Sequence, residues 1–188
     1  VTGMLKRLAT WKSDKGELIP LVDYNSYKGV RLTPLGVAEA LKILRSHRLI
    51  ELFLSKNLNF SLAKVHDEAC RLEHVVSDDF IERIDEILGY PQYSPLGNPI
   101  PTNGGVMPES IANALAFSEL NQEYVIKRIS DDDQEMVAYF EQTGFLPGLK
   151  IKLLARSPFN GPLTIQYDSK EEIIGHELAR NIFVAPTN

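Results

Sequence analysis

The stretch VHDEACRLEH, from Val65 to His74, decides how this chain is interpreted. Apolar residues recur in and around it in steps of three and four, as on the buried face of an amphipathic helix: Leu62, Val65, Ala69, Leu72 and Val76. His66, Cys70 and Glu73 follow the same steps one position later, and His74 lies four residues after Cys70. Neighbouring positions differ by about 100° around a helix. The stretch therefore predicts a helix with metal-binding side chains in a strip beside its buried face, half-shielded from water.

The rare residue types of the chain are concentrated here. The sequence has four histidines and one cysteine, and two of the histidines share this stretch with the cysteine. The preceding helical segment adds His47 and Glu51, again four residues apart, which is within reach of one metal ion on a helix. Thiolate, imidazole and carboxylate together suit a first-row divalent ion. The spacing predicts two sites, one made of Cys70, Glu73 and His74 and the other of His47, Glu51 and His66.

Structural explanations compete with metal binding at each position taken singly. A His–Glu pair four residues apart is most often a surface contact, and a lone cysteine is most often a small buried side chain. Three protein ligands per ion also leave open positions, as in catalytic sites, so a metalloenzyme has to be considered. Its general base would be Asp67 or Glu68, but both lie off the ligand strip. We therefore expect a metal-binding protein that is not an enzyme.

Charge and composition narrow the class of protein. The net charge is −5, yet residues 1–31 contain six basic and three acidic residues, so a basic end adjoins an acidic body. That distribution permits contact with nucleic acid at this end, although a solvated surface would have the same composition. No apolar run approaches the roughly 20 residues that span a membrane. The single cysteine excludes an internal disulfide framework and fits a reducing cytoplasm.

The first half of the chain predicts helices around a hairpin. It opens on Val1 inside a helically periodic segment, so we expect that further residues precede it. Two apolar runs in residues 18–33 flank turn residues and predict a β-hairpin. Thr33-Pro34 then predicts the start of a helix running to about Ser55, with later helices starting near Ser61 and Asp78. Their high apolar density predicts packing against a second subunit.

The second half has a different sequence pattern. Residues 91–109 are rich in proline and glycine and predict a linker. Short strand-like runs follow, separated by Gly and Pro, with one helical stretch at residues 133–142: YVIKRI, LKIKLLAR, LTIQYD and NIFVA. This pattern predicts a small β-barrel.

The segment HDEACRLEHVVSDD, with SHRLIELFL upstream and SPLGNPIP downstream, closely resembles the diphtheria toxin repressor family of iron-dependent repressors. The resemblance implies an α+β, multidomain fold. Residues 1–33 would be the C-terminal part of a winged helix-turn-helix domain, N-terminally incomplete. Residues 34–100 would be an all-helical dimerisation and metal-binding domain. A linker at 101–119 would lead to a C-terminal SH3-like β-barrel at 120–188.

The resemblance also assigns roles to the candidate ligands. Cys70, Glu73 and His74 match the primary, activating site, to which the Cys70 carbonyl can add an oxygen, whereas His47, Glu51 and His66 match the ancillary site. In the family two SH3-like side chains three residues apart complete the ancillary site; the candidates are Asp132 and Glu135, or Asp133 and Met136 in a register shifted by one. Three positions match residues that hold an anion beside the ancillary metal: Arg48, Ser94 and Asn98.

DNA contacts are implied at the basic end. Residues 1–9 would be the C-terminal part of the recognition helix, with Thr2, Lys6 and Arg7 as contacts, while Lys28 and Arg31 in the hairpin would touch the backbone. The family draws a further primary-site ligand, often methionine, from a helix that would precede Val1. The identity of that ligand is therefore open.

The function implied is a cytoplasmic, homodimeric repressor that binds double-stranded operator DNA when loaded with metal. The thiol of Cys70 favours Fe²⁺, while Mn²⁺, Co²⁺, Ni²⁺ or Zn²⁺ stay possible. The alternatives are a manganese-responsive repressor of the same family and, from other classes, a metalloenzyme or a metal-trafficking adaptor.

Overall fold

The computed structural model describes residues 2–12, 16–25, 27, 29–109 and 112–187. Helices and strands are mixed along the chain. The helices are α1 (Thr2–Ala9), α2 (Pro34–Leu58), α3 (Leu62–Leu72), α4 (Asp78–Ile87), α5 (Gln134–Thr143) and α6 (His176–Arg180). The strands are β1 (Val22–Asn25), β2 (Gly29–Leu32), β3 (Asn113–Ala114), β4 (Glu123–Ile129), β5 (Lys150–Arg156), β6 (Leu163–Tyr167), β7 (Lys170–Ile174) and β8 (Ile182–Pro186). No helix among the described residues is both long and apolar enough to cross a membrane.

The N-terminal part is a helix followed by a hairpin. Strands β1 and β2 pair antiparallel, which confirms the predicted hairpin. The chain returns to α1 through the Leu21 amide, which donates to the Leu8 carbonyl at 3.0 Å. Gly36 allows the start of α2 to approach the backbone of Leu21 closely, because a Cβ there would lie 1.9 Å from the Leu21 oxygen. The identification of the hairpin as a wing stays a prediction.

The helical part, made of α2, α3 and α4, begins where the sequence predicts. The Thr33 hydroxyl accepts from the Gly36 amide at 3.0 Å, and Pro34 stands in the first turn of α2. The helix continues past Ser55 to Leu58, where Asn59 adopts a left-handed φ of 56° and ends it. The predicted starts of α3 and α4 are confirmed. The three helices share one apolar core that includes Leu49, Ile50, Leu52, Val65, Ala69, Ile81 and Ile84.

The C-terminal part is a six-stranded antiparallel sheet in the order β3-β8-β4-β5-β6-β7. The register shifts between Ile126 and Arg128 and between Leu153 and Ala155, and such irregularities bend strands. Within the described residues no pairing joins the edge strands β3 and β7, so barrel closure stays a prediction. The sequence assigns residues 113–117 to the linker, but Asn113 and Ala114 pair with β8, and Leu115 and Ala116 are buried in the core of the sheet.

The helical part and the sheet meet directly at a seam beside α3. Leu96, from the loop after α4, is buried in the core of the sheet, and its carbonyl accepts from the Ile129 amide at 3.0 Å. Gly97 allows this approach, because a Cβ at its φ of +83° would lie 1.9 Å from the Lys127 oxygen. On the other side of the seam, the Leu62 amide at the start of α3 donates to the Glu141 carboxylate of α5 at 3.0 Å. The sheet therefore packs against the helix that carries the candidate ligands.

Candidate metal centre

Helices α2 and α3 bring metal-binding side chains from both predicted sites together. His47 and Glu51 lie one turn apart on α2, and His66 and Cys70 lie one turn apart on α3. One donor atom each from His47, His66 and Cys70 lies within 4.8 Å of the other two. The two imidazole rings meet edge to face with their centroids 4.9 Å apart. The donors therefore face one another across the contact between the two helices.

The thiol lies between the two imidazoles. Cys70 Sγ is 3.6 Å from His66 Nε2 and 4.0 Å from His47 Nδ1. Cys70 is exposed, and His47 is mostly buried, so the group is open to solvent on the Cys70 side. Two nitrogens and one sulfur form a donor set that suits Zn²⁺ and the later first-row divalent ions. The residues present therefore fit a transition metal.

The Glu51 carboxylate lies next to both rings. It is only 2% exposed, and its Oε1 is 3.0 Å from His47 Nε2 and 3.5 Å from His66 Nδ1. The shorter contact is a hydrogen bond, whereas His66 Nδ1 is buried and makes none. The His47 Nε2 bond to the Glu51 carboxylate is of the kind that fixes the ring orientation of a ligating imidazole. Glu51 thus occupies the side of each ring that faces away from Cys70.

Glu73 links the two predicted sites. Its Oε2 is 2.6 Å from His47 Nδ1, and its Oε1 is 3.2 Å from His74 Nε2. Helix α3 ends at Leu72, so Glu73 is its C-cap and His74 lies in the following turn with 65% of its side chain exposed. We name the group of His47, Glu51, His66, Cys70 and Glu73 the α2–α3 cluster, at whose edge His74 lies.

The carboxylates set the protonation of the cluster. Burial alone would lower the pKa of His47, but hydrogen bonds and charge from Glu51 and Glu73 together raise it above its ordinary value of 6.5. Burial raises the pKa of the Cys70 thiol, and the negative charges of Glu73, Asp67 and Glu51 add to that effect. Both shifts favour the protonated forms, so protons compete with a metal for these two side chains.

The predicted anion-binding residues also lie together. Ser94 and Asn98 are buried and bonded to each other: the Ser94 amide donates to the Asn98 carbonyl at 2.8 Å, and the Asn98 amide donates to Ser94 Oγ at 3.3 Å. Arg48, next to His47 on α2, donates from Nη1 to the Pro99 carbonyl of the same loop. This loop is the one that carries Leu96 and Gly97 into the seam.

The predicted SH3-side residues Asp132 and Asp133 have partners within the C-terminal part. Asp132 accepts from the Ser130 hydroxyl at 2.8 Å, and Glu135 is exposed in the first turn of α5. In the shifted register, Asp133 caps α5 by accepting from the Glu135 and Met136 amides at 2.8 and 3.0 Å. None of these contacts reaches the helical part.

Two neighbouring side chains that the sequence reasoning missed do reach it. Asp131 Oδ2 accepts from Asn98 Nδ2 at 2.9 Å, and Gln134 Nε2 donates to Asp67 Oδ1, beside His66, at 2.7 Å. Asp131 and Gln134 are three residues apart, the spacing expected of the SH3-side pair. A register shifted by one residue toward the N-terminus would have found them.

The predicted DNA contacts lie in the N-terminal part, on α1 and around the hairpin. Lys6 and Arg7 occupy the last turn of α1 and are exposed, as is Arg31 on β2. The side chain of Thr2 and the whole of Lys28 lie outside the described residues. Three of the five proposed contacts therefore have a described, solvent-accessible position.

Comparison with known proteins matches both parts of the chain. Residues 33–102 match the family "Iron dependent repressor, metal binding and dimerisation domain", and residues 114–186 match the FeoA domain. The FeoA domain is SH3-like. The α2–α3 cluster and the anion-binding loop fall within the first match, and the six-stranded sheet falls largely within the second.

Individual relatives align as well. The iron-dependent repressor IdeR of Mycobacterium leprae is 32% identical, over 82% of this chain and 72% of that protein. The diphtheria toxin repressor of Corynebacterium glutamicum is 42% identical over 46% of this chain and 38% of that protein. A manganese-dependent transcriptional repressor in complex with manganese superposes with a TM-score of 0.82 at 38% identity, covering 89% of this chain and 78% of that one. The chain belongs to the family of iron-dependent repressors that includes IdeR and the diphtheria toxin repressor.

Proposed function

We propose that this protein is a metal-dependent transcriptional repressor that binds operator DNA as a homodimer once metal occupies the α2–α3 cluster. The observation that carries the proposal is the convergence of His47, His66 and Cys70 within 4.8 Å, inside the residues that match a metal-binding and dimerisation domain. Relatives named as iron-dependent and manganese-dependent repressors support the same function.

Two metal sites are proposed per protomer. The primary site would use Cys70, Glu73 and His74, and the ancillary site His47, Glu51 and His66. For the side chains from the C-terminal part, the contacts favour Asp131 and Gln134, while the pair Asp132 and Glu135 stays a prediction. Arg48, Ser94 and Asn98 would hold an anion beside the ancillary metal.

Iron is the metal we favour for activation. A thiolate in the primary site suits Fe²⁺ better than Mn²⁺, which prefers oxygen ligands. Co²⁺, Ni²⁺ and Zn²⁺ are compatible with the same donors. A manganese-responsive repressor is the second candidate, and the manganese-dependent structural relative supports it.

The dimer would form through apolar residues that α2 and α4 expose. Their apolar side chains are 36–64% exposed: Leu35, Val37, Ile43, Phe80 and Ile87. Contiguous exposed apolar surface is typical of protein interfaces. Two copies related by a twofold axis would present two α1 helices to successive major grooves, about 34 Å apart. Lys6, Arg7 and Arg31 would then contact phosphates.

Metal would act by shifting the equilibrium between conformations of the protein. An ion that binds one arrangement of α1, α2 and α3 better than another stabilises that arrangement by the difference in binding free energy. The DNA-competent arrangement would be the one in which both sites are complete. Operator affinity would then rise with metal and fall steeply with salt, because phosphate contacts release counterions.

The test is metal-dependent DNA binding by substituted proteins. DNA fragments selected from a random pool by the metal-loaded protein would be titrated anaerobically with Fe²⁺ or Mn²⁺ present. Cys70→Ala and His74→Ala should abolish metal-dependent binding, whereas His176→Ala, a control histidine in the C-terminal part, should retain it. Metal-dependent binding that survives both substitutions would sink the proposal.

An enzymatic role gains no support from the groups around the cluster. Glu68 pairs with Arg71 at 3.0 Å, and Asp67 accepts from Gln134, so both carboxylates considered as a general base have other partners. The SH3-like part packs its α5 against α3 through Glu141, which supports a role within this molecule over that of an independent adaptor.

A further inference from the structure

Helix α3, which carries two of the candidate ligands, is not capped by its own sequence. Ser61 occupies the N-cap position in an extended conformation, but its side chain makes no capping hydrogen bond, and the first turn of α3 has no acidic residue. In α4, by contrast, the Ser77 hydroxyl accepts from the Phe80 amide at 3.2 Å, and two aspartates stand in the first turn. The first amides of a helix have no partner within it, so α3 requires a partner from elsewhere.

The missing cap comes from the C-terminal part of the chain. The Leu62 amide, the first of α3, donates to Glu141 Oε1 at 3.0 Å and to Oε2 at 3.1 Å. Glu141 lies in α5, 79 residues further along the chain, and is half-buried. A carboxylate in this place pairs an amide that the helix leaves free and interacts favourably with the positive end of the helix dipole. Glu141 therefore does for α3 what Ser77 and the two aspartates do for α4.

Two further contacts hold the same segment of α3. Gln134, at the start of α5, donates to Asp67 at 2.7 Å, whereas Glu141, near the end of α5, meets Leu62, so the two helices run antiparallel. The side chain of Leu62 also packs against the core of the sheet. His66 lies between these contacts, one turn after Leu62 and next to Asp67. The part of α3 that carries this candidate ligand is thus held at both ends by the C-terminal part.

We infer that Glu141 is a positioning residue for the metal centre. Through the Leu62 amide it holds the first turns of α3 in helical form, and with them His66. The inference rests on the proposed function, and it gives the C-terminal part a role in metal binding that is separate from donating a ligand. A ligand that is held in place before the ion arrives loses less conformational freedom on binding.

Hydrogen exchange in the metal-free protein tests the capping role. The Val65 amide of α3 donates to the Ser61 carbonyl at 3.2 Å, and the Ile81 amide of α4 donates to the Ser77 carbonyl at 3.2 Å, so the two buried positions are matched. Loss of a cap shifts the opening of a first turn by on the order of tenfold. Glu141→Ala should accelerate exchange at Val65 by about that factor and leave Ile81 within about threefold of wild type.

A local cap provides the rescue. Ser61→Asp places a carboxylate at the N-cap position of α3, where it can accept from the amides of the first turn. Combined with Glu141→Ala, it should return exchange at Val65 to within about threefold of wild type. Glu177→Ala removes an exposed glutamate of the C-terminal part and should match wild type throughout.

Three results would overturn the capping role. The first is exchange at Val65 that Glu141→Ala leaves unchanged. The second is equal acceleration at Val65 and Ile81, which would mean that Glu141 supports only the stability of the whole protein. The third is a failure of Ser61→Asp to restore protection at Val65, because a missing cap is the one defect that this substitution repairs.

Co²⁺ tests the link to the metal centre. If the first turns of α3 and the metal centre form one unit, opening at Val65 withdraws His66 from the ion. Saturating Co²⁺ should then slow exchange at Val65 in Glu141→Ala by about tenfold or more, and the added substitution His66→Ala should remove that effect. Exchange at Val65 that does not respond to bound Co²⁺ would overturn the positioning role.

Calorimetry of the wild-type protein separates this inference from the proposed function. A wild-type protein that binds no Co²⁺ would refute the proposed metal centre and the positioning role with it. Exchange at Val65 in the metal-free protein decides the contact between Glu141 and α3 independently of that result.

Discussion

Replacing Gly97 with alanine should open the seam between the helical part and the sheet. Gly97 has a φ of +83°, and a Cβ there would lie 1.9 Å from the Lys127 oxygen and 2.8 Å from the Arg128 Cα. Both neighbours are backbone atoms of β4, so no side-chain rotation relieves the clash. The loop must move away from β4 by more than 1 Å, a distance set by about 3.0 Å as the closest ordinary Cβ contact.

The loss of unfolding free energy in Gly97→Ala has two parts. A residue with a Cβ in the left-handed region lowers the free energy of unfolding by about 1–2 kcal/mol through backbone strain. Moving the loop breaks the bond from the Ile129 amide to the Leu96 carbonyl, about 1 kcal/mol, and uncovers part of the Leu96 side chain, about 1–3 kcal/mol. Gly89 is a matched control, because it has a φ of +74° and nothing within 4 Å of its Cβ position. Gly97→Ala should therefore cost about 2–4 kcal/mol more than Gly89→Ala.

Denaturant unfolding of both variants measures this difference in the free energy of unfolding. Hydrogen exchange at the Ile129 amide gives a local readout, which should accelerate in Gly97→Ala and stay unchanged in Gly89→Ala. Equal free energies within about 1 kcal/mol, or an Ile129 amide that stays protected in Gly97→Ala, would refute the close approach of the loop to β4 as a determinant of the seam.

Further predictions concern pH and the C-terminal side chains. Because the pKa of His47 is raised above 6.5, its proton competes with metal, so Co²⁺ affinity measured by titration should increase as pH rises above 6.5; an affinity independent of pH would contradict this. The same raised pKa stabilises the folded metal-free protein below pH 6.5, and denaturant unfolding should show that contribution lost as pH rises further. Asp131→Ala should weaken metal-dependent DNA binding more than Asp132→Ala, because only Asp131 contacts the helical part; the reverse order would favour the Asp132 pair.

Local chemistry explains which elements could be predicted. The start of α2 follows from Thr33 and Pro34, whose capping hydroxyl and fixed φ act within one turn. The sequence places the end of α2 three residues too early, since Asn59 rather than Ser55 terminates it by adopting a left-handed conformation. The sequence assigns residues 113–117 to a linker, because their short apolar run becomes a strand and a turn only when β8 and the sheet core are beside it.

The sequence by itself determined which side chains of VHDEACRLEH can bind metal, because ligand chemistry belongs to the residue and helical periodicity places it on one strip. The resemblance carried by this segment determined the family. Only the tertiary structure decided which ligands face one another, since the distance from Cys70 to His47 depends on how α2 packs against α3. It likewise decided that Asp131 and Gln134 reach the helical part, a contact between residues 33 and 67 positions apart that no local pattern specifies.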